Sequence, residues 1–548
     1  MGNINTECKY KKFYNRIIKN KKIFDKLVLQ MQRNNISLEQ KMLLAEQLLN
    51  ILTYNQTGYF YSNILEKFFV EIAQQHDIKN YDIEYKPKSV LHVMTQCYEH
   101  GGHTRVVERW IDNTKDNYIN SVILLKQNND SIPELLIKNI KNSKGELIVL
   151  DQDMTLVERA LKLREIAMEY EYIVLHTHME DPTATVAFGT EKFTRPVLFF
   201  NHADHMFWIG KTVSDVILDI RTQKSISPKY RDINDAKLCP IPCDFVEDIF
   251  YEKKEARKSL GIDLEEKIIL TSGSNFKFMP IGNDSIFDVY EEILSKNSKV
   301  KLIVIGKNKY WNRVYKKFKN RVELYKEIPY QKYLQYVSAA DLVIDSYPMN
   351  GETTLIDAVK ANVPFLSLDV ICSGQNDYII ESQGYCLNKK ELVEKALKCL
   401  CDDNYSNNIL QNEFKLFNKN YSKENWVNNI EKLYSDAPKK HKLRPIPETK
   451  APCFIDDYSV VLERLYRKNK IFKNYGIPYL LEIREIKVPN KIYKLVLFGI
   501  EIYEYKQNVS QKKKKAKTLA PVSGGDKCHL ILLFCINCLE FLLKGYIH

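Results

Sequence analysis

The sequence predicts an α/β protein with two consecutive doubly wound parallel-sheet domains, and three observations carry that prediction. Short apolar runs alternate with amphipathic stretches from Lys88 onward. The runs are mostly apolar, as strands covered on both faces are. The pattern then restarts after Pro240-Ile241-Pro242. At 548 residues the chain has room for two to four domains, at roughly 100–200 residues each. Its composition, 45% hydrophobic and 27% charged, excludes disordered, collagenous and disulfide-knot classes. No uncharged apolar run reaches the ~18 residues of a membrane span, which excludes a multi-span protein.

Residues 1–86 read as a helical extension. Leu27, Leu29 and Met31 are followed by Leu38, Met42, Leu43, Leu44, Leu48, Leu49 and Leu52, close to a helical period, and no glycine interrupts Asn3 to Thr57. The first sheet domain, 87–245, has strands expected at Val90–Met94, Ser121–Leu125, Leu147–Leu150, Tyr172–Leu175, Val197–Phe200, Val216–Ile220 and Leu238–Ile241. Helices are expected between them at Thr104–Asp112 and Leu156–Tyr170. The second, 246–437, has strands expected at Ile268–Thr271, Val300–Ile305, Val322–Tyr325, Leu342–Ile344 and Pro364–Leu368, closed by helices from Glu391 to about Ser435. Residues 438–548 read as an appendage. A Pro445, Pro447, Pro452 linker leads to a basic amphipathic stretch at Val460–Lys473 and a block at Lys512–Lys515 with Lys517. An apolar run, Leu530–Leu543, follows and is broken by Asn537 and Glu540.

The formal charge of +12 belongs to that appendage. Residues 438–548 hold 22 Lys and Arg against 10 Asp and Glu, and the first 437 residues hold 59 of each. A neutral body with a basic tail predicts docking to an anionic surface, such as a membrane leaflet, and no specific nucleic-acid partner. The 12 cysteines are scattered, and lysines interrupt the first 30 residues before a signal-like apolar run forms. Reduced thiols and a cytoplasmic location, peripheral to the inner face of the cytoplasmic membrane, are expected.

Three segments carry chemistry. In the first domain a strand runs into Glu99-His100-Gly101-Gly102-His103-Thr104-Arg105. Gly101 and Gly102 let the backbone approach a ligand, Thr104 is the expected N-cap of the next helix, and the helix N-terminus suits an anion. In the second domain, Asp341-Leu342-Val343-Ile344 runs through Asn350-Gly351-Glu352-Thr353-Thr354 to Asp357. The two threonines and the free N–H groups of a helix start suit a phosphate, and Asp357, one turn on, suits ribose hydroxyls. The third segment, Ile268 to Pro280, leaves a strand through Gly273 and Ser274 and presents Lys277, placed to neutralise a departing diphosphate.

These three segments, in their order along the chain, resemble those of GT-B glycosyltransferases. The run Asn350-Gly351-x-Thr353-Thr354-x-x-Asp357 is similar to the branch of the O-GlcNAc transferases and bacterial N-glycosyltransferases. The resemblance covers roughly Lys88 to Ser435 and implies the GT-B fold, two Rossmann-like domains around a nucleotide-sugar site. It implies that Lys277 contacts the nucleotide diphosphate, that Thr353 and Thr354 hold the phosphates and that Asp357 holds the ribose. A UDP-sugar is the implied donor, as a co-substrate rather than a resident cofactor. The chain departs from that branch in having Glu352 where the branch has histidine, and no 34-residue repeat is present. A retaining branch of the same fold carries two glutamates eight positions apart at this loop; here Asn350 and Ala358 stand there, so inversion is expected.

An inverting transferase needs a base for the acceptor proton. His103 and Asp204 are the leading choices, with Lys277 as the electrophilic group. His176, His178, His202, His205 and Trp208 are candidates for the acceptor side, the last for sugar stacking. His176-x-His178 and His202-x-x-His205 have no third ligand at motif spacing, so no metal is expected. The acceptor is expected to be a carbohydrate or glycolipid of bacterial cell-surface polysaccharide or lipopolysaccharide assembly. The alternatives are a protein O- or N-glycosyltransferase, a UDP-sugar 2-epimerase on the same fold, and a non-enzymatic nucleic-acid-binding or scaffold protein.

Overall fold

The computed structural model describes residues 11–76, 83–99, 102–127, 131–243, 249–281, 284–370 and 376–465, together with three strands within residues 481–507. Helices α1 (Lys11–Met31), α2 (Leu38–Tyr54) and α3 (Asn63–Gln75) form the helical extension. Ser37 starts α2 with a capping box, its hydroxyl accepting the Gln40 N–H while the Gln40 side chain accepts the Ser37 N–H. The extension is fastened to the first sheet domain through Glu66 of α3. This buried carboxylate accepts the N–H groups of Gly210, Lys211 and Thr212 at 2.8, 2.9 and 3.2 Å.

The first sheet domain runs β1 (Lys86–Met94), α4 (Gly102–Thr114), β2 (Ile119–Leu124), α5 (Glu134–Asn142), β3 (Leu147–Val149), α6 (Leu156–Ala167), β4 (Tyr170–His176), α7 (Thr183–Phe188), β5 (Val197–Asn201), β6 (Val216–Asp219), α8 (Ser227–Arg231) and β7 (Lys237–Leu238). Its seven strands are parallel in the order β3-β2-β1-β4-β5-β6-β7. β7 is shorter than the Leu238–Ile241 strand expected. Pro240 and Pro242 have no N–H for the ladder. The helix expected at Leu156–Tyr170 stops at Ala167, because Tyr170 already pairs in the sheet.

The second domain repeats the plan. It runs α9 (Lys253–Leu260), β8 (Lys267–Ser272), α10 (Phe287–Lys296), β9 (Val300–Ile305), α11 (Asn312–Lys317), β10 (Val322–Tyr325), α12 (Tyr330–Ala339), β11 (Leu342–Ile344), α13 (Thr353–Lys360), β12 (Phe365–Leu368), α14 (Asp377–Glu381) and β13 (Tyr385–Cys386). Its strand order is β10-β9-β8-β11-β12-β13, again parallel. The GT-B arrangement expected from the sequence, two doubly wound domains in series, is therefore present. Two-residue β13 gave no sequence signal, since two residues carry no period.

Three helices follow, α15 (Lys389–Cys401), α16 (Asp403–Tyr421) and α17 (Lys423–Ser435). α17 returns to the first domain. Trp426 packs edge-on to Trp110 with ring centroids 5.2 Å apart, and its indole N–H donates to the Pro240 carbonyl at 2.8 Å. The chain then stays on this side. His441 lies 2.7 Å from Asp215, Arg444 donates to the Ser214 carbonyl at 2.6 Å, and α18 (Asp457–Leu465) reaches the extension through an Arg16–Glu463 ion pair at 3.1 Å.

A separate unit, 477–548, holds an antiparallel sheet of β14 (Leu481–Ile486), β15 (Lys491–Leu497) and β16 (Ile500–Gln507) within what was expected to be a basic, partly amphipathic appendage. The Lys512–Lys517 block and the Leu530–Leu543 run lie outside the described residues. Among the described residues no helix is long and apolar enough to cross a membrane.

Candidate active site

In each sheet the strand order reverses at one point, between β1 and β4 in the first domain and between β8 and β11 in the second. Chain leaving neighbouring strands there diverges to opposite faces and opens a crevice at their carboxyl ends. The three segments singled out in the sequence leave β1, β8 and β11. A cleft of about 530 Å³ lies between the domains, lined by Gly102, His103 and Arg105 from one side and by Tyr330, Thr353 and Asp357 from the other.

On the first-domain side, Gly101 lies outside the described residues. A Cβ at Gly102 would meet nothing within 4 Å, so this glycine leaves open space rather than relieving a clash. Thr104 is not the helix cap. α4 already begins at Gly102, and the buried Thr104 hydroxyl accepts the Tyr98 N–H at 2.9 Å, folding the preceding loop back instead of facing a ligand.

His103 stands at the centre. Its Nε2–H donates to the His176 carbonyl at 2.7 Å, which leaves the lone pair on Nδ1 without a partner among the described residues. Burial, and then His202 and His178, hold its pKa well below the ordinary value of 6.5, so the ring is neutral. The His202 ring lies 4.5 Å away, and burial lowers that imidazole to about 4. His178 sits half-buried beside the Tyr98 hydroxyl, at 3.4 Å.

Several expected acceptor-side groups stand elsewhere. The His176 side chain is fully buried beneath the crevice, 3.1 Å from His92, which in turn meets Asn120 at 3.1 Å. What His176 presents to His103 is therefore its carbonyl, not its ring. Trp208 is 1% exposed and stacked on Phe199 at 4.2 Å, with the Arg231 guanidinium 5.5 Å from its ring, so no sugar reaches its face. Asp204 is not a base. Burial works against its ionisation, but Arg221 at 2.9 Å outweighs that and holds the carboxyl at about 2. His205 lies 3.6 Å from the same carboxylate.

On the second-domain side, Lys277 sits in a 3₁₀ turn, Asn275–Phe278, and its ammonium donates to the Asn350 carbonyl at 2.7 Å. This bond joins the β8 and β11 loops. Burial lowers the Lys277 pKa, while Asp345 and Glu352 pull it up. Ser274 is exposed at the start of the turn. Gly306 supports it from below: its φ is +103°, and a Cβ there would lie 1.7 Å from the Gly273 carbonyl oxygen.

The β11 loop is organised by Asp345, which the sequence reading did not single out. Its carboxylate accepts from the N–H of Gly351 at 2.7 Å, the N–H of Ser346 at 2.8 Å and the Ser367 hydroxyl at 2.8 Å. Burial outweighs these bonds and raises its pKa to about 6. A side chain at Gly351 would come within 3.0 Å of Thr354 Oγ1 and 3.2 Å of Asp345 Oδ1. Thr353 is exposed and Thr354 half-buried at the first turn of α13; the buried Asp357 lies one turn on, facing the same cleft as Thr353.

Sequence reasoning also passed over Tyr330 and Arg221. Tyr330 opens α12, and its ring lies 4.6 Å from the Arg105 guanidinium of the opposite domain. Arg221 follows β6 and lies 2.9 Å from Glu352 of the β11 loop. No spacing motif links such residues, because only the closing of the two domains brings them together. Among the described residues no group of three His, Cys, Asp or Glu side chains is arranged to hold a metal ion.

No family model matches the sequence, and no curated protein does. Among solved structures the chain is similar to an O-GlcNAc transferase mutant of Thermobaculum terrenum, at 13% identity and a TM-score of 0.47 over 78% of this chain and 83% of that one. It is similar to HepE of Anabaena in complex with UDP, at 13% identity and 0.46, over 63% and 99%. A glycosyltransferase of Rickettsia africae matches at 13% identity and 0.49, over 64% and 99%.

Proposed function

We propose that the protein is a glycosyltransferase that moves a sugar from a UDP-sugar to a hydroxyl of a carbohydrate or glycolipid acceptor, with inversion at the anomeric carbon and without a metal ion. The observation that carries this reading is the pairing across one cleft of a neutral, half-partnered imidazole, His103, with Thr353 and Asp357 at the start of α13, whose preceding loop is held by Lys277 through the Asn350 carbonyl. A base on one wall and a diphosphate cradle on the other is what displacement at a sugar phosphate needs.

In this reading the donor lies along the second domain. The phosphates meet the N-terminal N–H groups of α13, the threonine hydroxyls and the Lys277 ammonium, and the ribose hydroxyls donate to Asp357. The acceptor enters over the first domain, and its hydroxyl donates to Nδ1 of His103. As the acceptor oxygen bonds to the anomeric carbon, Nδ1 takes its proton and the bond to the β-phosphate oxygen breaks. The growing charge on UDP is met by Lys277 and by groups already in place. Burial, with smaller contributions from His202 and His178, lowers the basicity of His103 and keeps it unprotonated before the acceptor arrives. Assembly of cell-surface polysaccharide or lipopolysaccharide is the proposed setting, with the enzyme at an anionic inner leaflet.

The test is UDP release from a panel of sugar nucleotides, together with calorimetric UDP binding, for the wild type and Lys277→Ala. One UDP-sugar is expected to be hydrolysed slowly without acceptor, and the variant is expected to lose about 10²-fold in turnover. Absence of UDP binding to the wild type overturns the reading. Conversion of the donor to its epimer without release assigns an epimerase instead.

A further inference from the structure

Glu352 places a carboxylate immediately before the two threonines that start α13, in the turn read above as a phosphate cradle. An uncompensated negative charge there opposes a diphosphate. The compensation comes from the other domain. Arg221 is 5% exposed in its side chain and lies 2.9 Å from Glu352 Oε1 through Nη1. Its Nε lies 2.9 Å from Asp204 Oδ2 of its own domain. One guanidinium thus serves a buried acid, Asp204, and a half-buried one, Glu352, and each keeps it charged. The contact is continued by the next residues: the N–H groups of Thr222 and Gln223 donate to Asp377 at the start of α14, at 3.1 and 2.8 Å, and Lys224 pairs with Asp369 at 2.5 Å.

We infer that Arg221 is a positioning residue of the donor site: it neutralises Glu352 and ties the β11–α13 turn to the first domain, so that the turn accepts a diphosphate. The inference rests on the donor reading for its ligand, but the tie itself exists without nucleotide. Within the first domain the Asp204–Arg221 pair is complete, and Glu352 is the group that spans the gap. An isosteric change at Glu352 therefore cuts the tie and leaves the first domain's own pair intact.

The experiment uses the full chain and three variants, Glu352→Gln, Arg221→Met and the double variant. Backbone hydrogen exchange is followed over residues 345–357 without nucleotide, and UDP affinity is followed by calorimetry. Exchange over 345–357 is expected to quicken in Glu352→Gln and in Arg221→Met, while that of β9 and β10 is unchanged. UDP affinity is expected to fall about tenfold or more in Arg221→Met. It is expected to return to within about threefold of the wild type in the double variant, because the carboxylate next to the phosphates has been removed, while Asp204 keeps His205 at 3.6 Å. A purely structural arginine would give a double variant no better than the single one, and that result overturns the proposal. Wild-type exchange rates in Glu352→Gln overturn it as well, even where Arg221→Met fails to fold. Faster exchange in the variants with no UDP binding to any of the proteins, wild type included, upholds the tie and rejects the donor reading instead.

Discussion

His103 donates its Nε2–H to the His176 carbonyl and keeps an unpartnered lone pair on Nδ1, and burial holds the ring neutral. Its folded pKa lies below 6.5, so the basic form persists as the pH falls through the range where an exposed histidine becomes charged. The acid limb of kcat/KM is therefore expected below pH 6.5, and His103→Ala is expected to lower kcat about 10²–10⁴-fold while UDP affinity changes little. Pre-steady-state and calorimetric measurements on the same variant separate the two. The neighbouring rings bear on stability. His92 and His202 are both lowered to about 4 by burial. Between pH 6.5 and 4 the unfolded chain binds protons that the folded one refuses, so stability is full above 6.5 and drains away as the pH falls toward 4. Thermal melts from pH 7.5 to 4.5 are expected to show a steep decline, shallower in His92→Gln, which removes one of the titrating groups.

At the scale of single elements, the donor loops are held by backbone geometry more than by side chains. Gly306 lies on the neighbouring β9 loop, yet any side chain there collides with the Gly273 carbonyl and displaces the turn that carries Lys277. Gly306→Ala is expected to cost about 2–4 kcal/mol of folding stability in urea denaturation. Its UDP affinity is expected to fall in parallel with that of Lys277→Ala. The parallel strands and the two threonines of α13 were legible in the sequence, because apolar runs and a helix-start signature are local patterns. Asp345 was not. An aspartate after a strand is common, and its bonds to Gly351 and Ser367 depend on how β12 lies beside β11. Trp208 misled for the complementary reason: an aromatic after His-Ala-Asp-His reads as a sugar platform until packing places Phe199 against it. Glu352 looked like a departure from the resembling branch, and its partner Arg221 stands over a hundred positions earlier in the chain.

Across the whole molecule the chain crosses between the sheet domains twice, forward after β7 and back through α17, where Trp426 fills the first domain beside Trp110. Trp426→Ala removes a fully buried indole and its bond to the Pro240 carbonyl. It is expected to cost about 3–5 kcal/mol, read as a lowered midpoint in thermal unfolding. Because α17 lies on the first domain while α16 before it packs on the second, the loss is expected to loosen both domains together.

The return of α17 also sets a timetable for synthesis. A nascent chain has all seven strands of the first sheet outside the ribosome long before it has the tryptophan that seals them. At 5–20 residues per second, the slot beside Trp110 stays open for roughly 10–40 s between the seventh strand and Trp426. α18, which meets α1, emerges later still. Through that interval the half-finished first domain exposes the aromatic surface that Trp426 later covers. The order of translation therefore obliges the first domain to wait for the second.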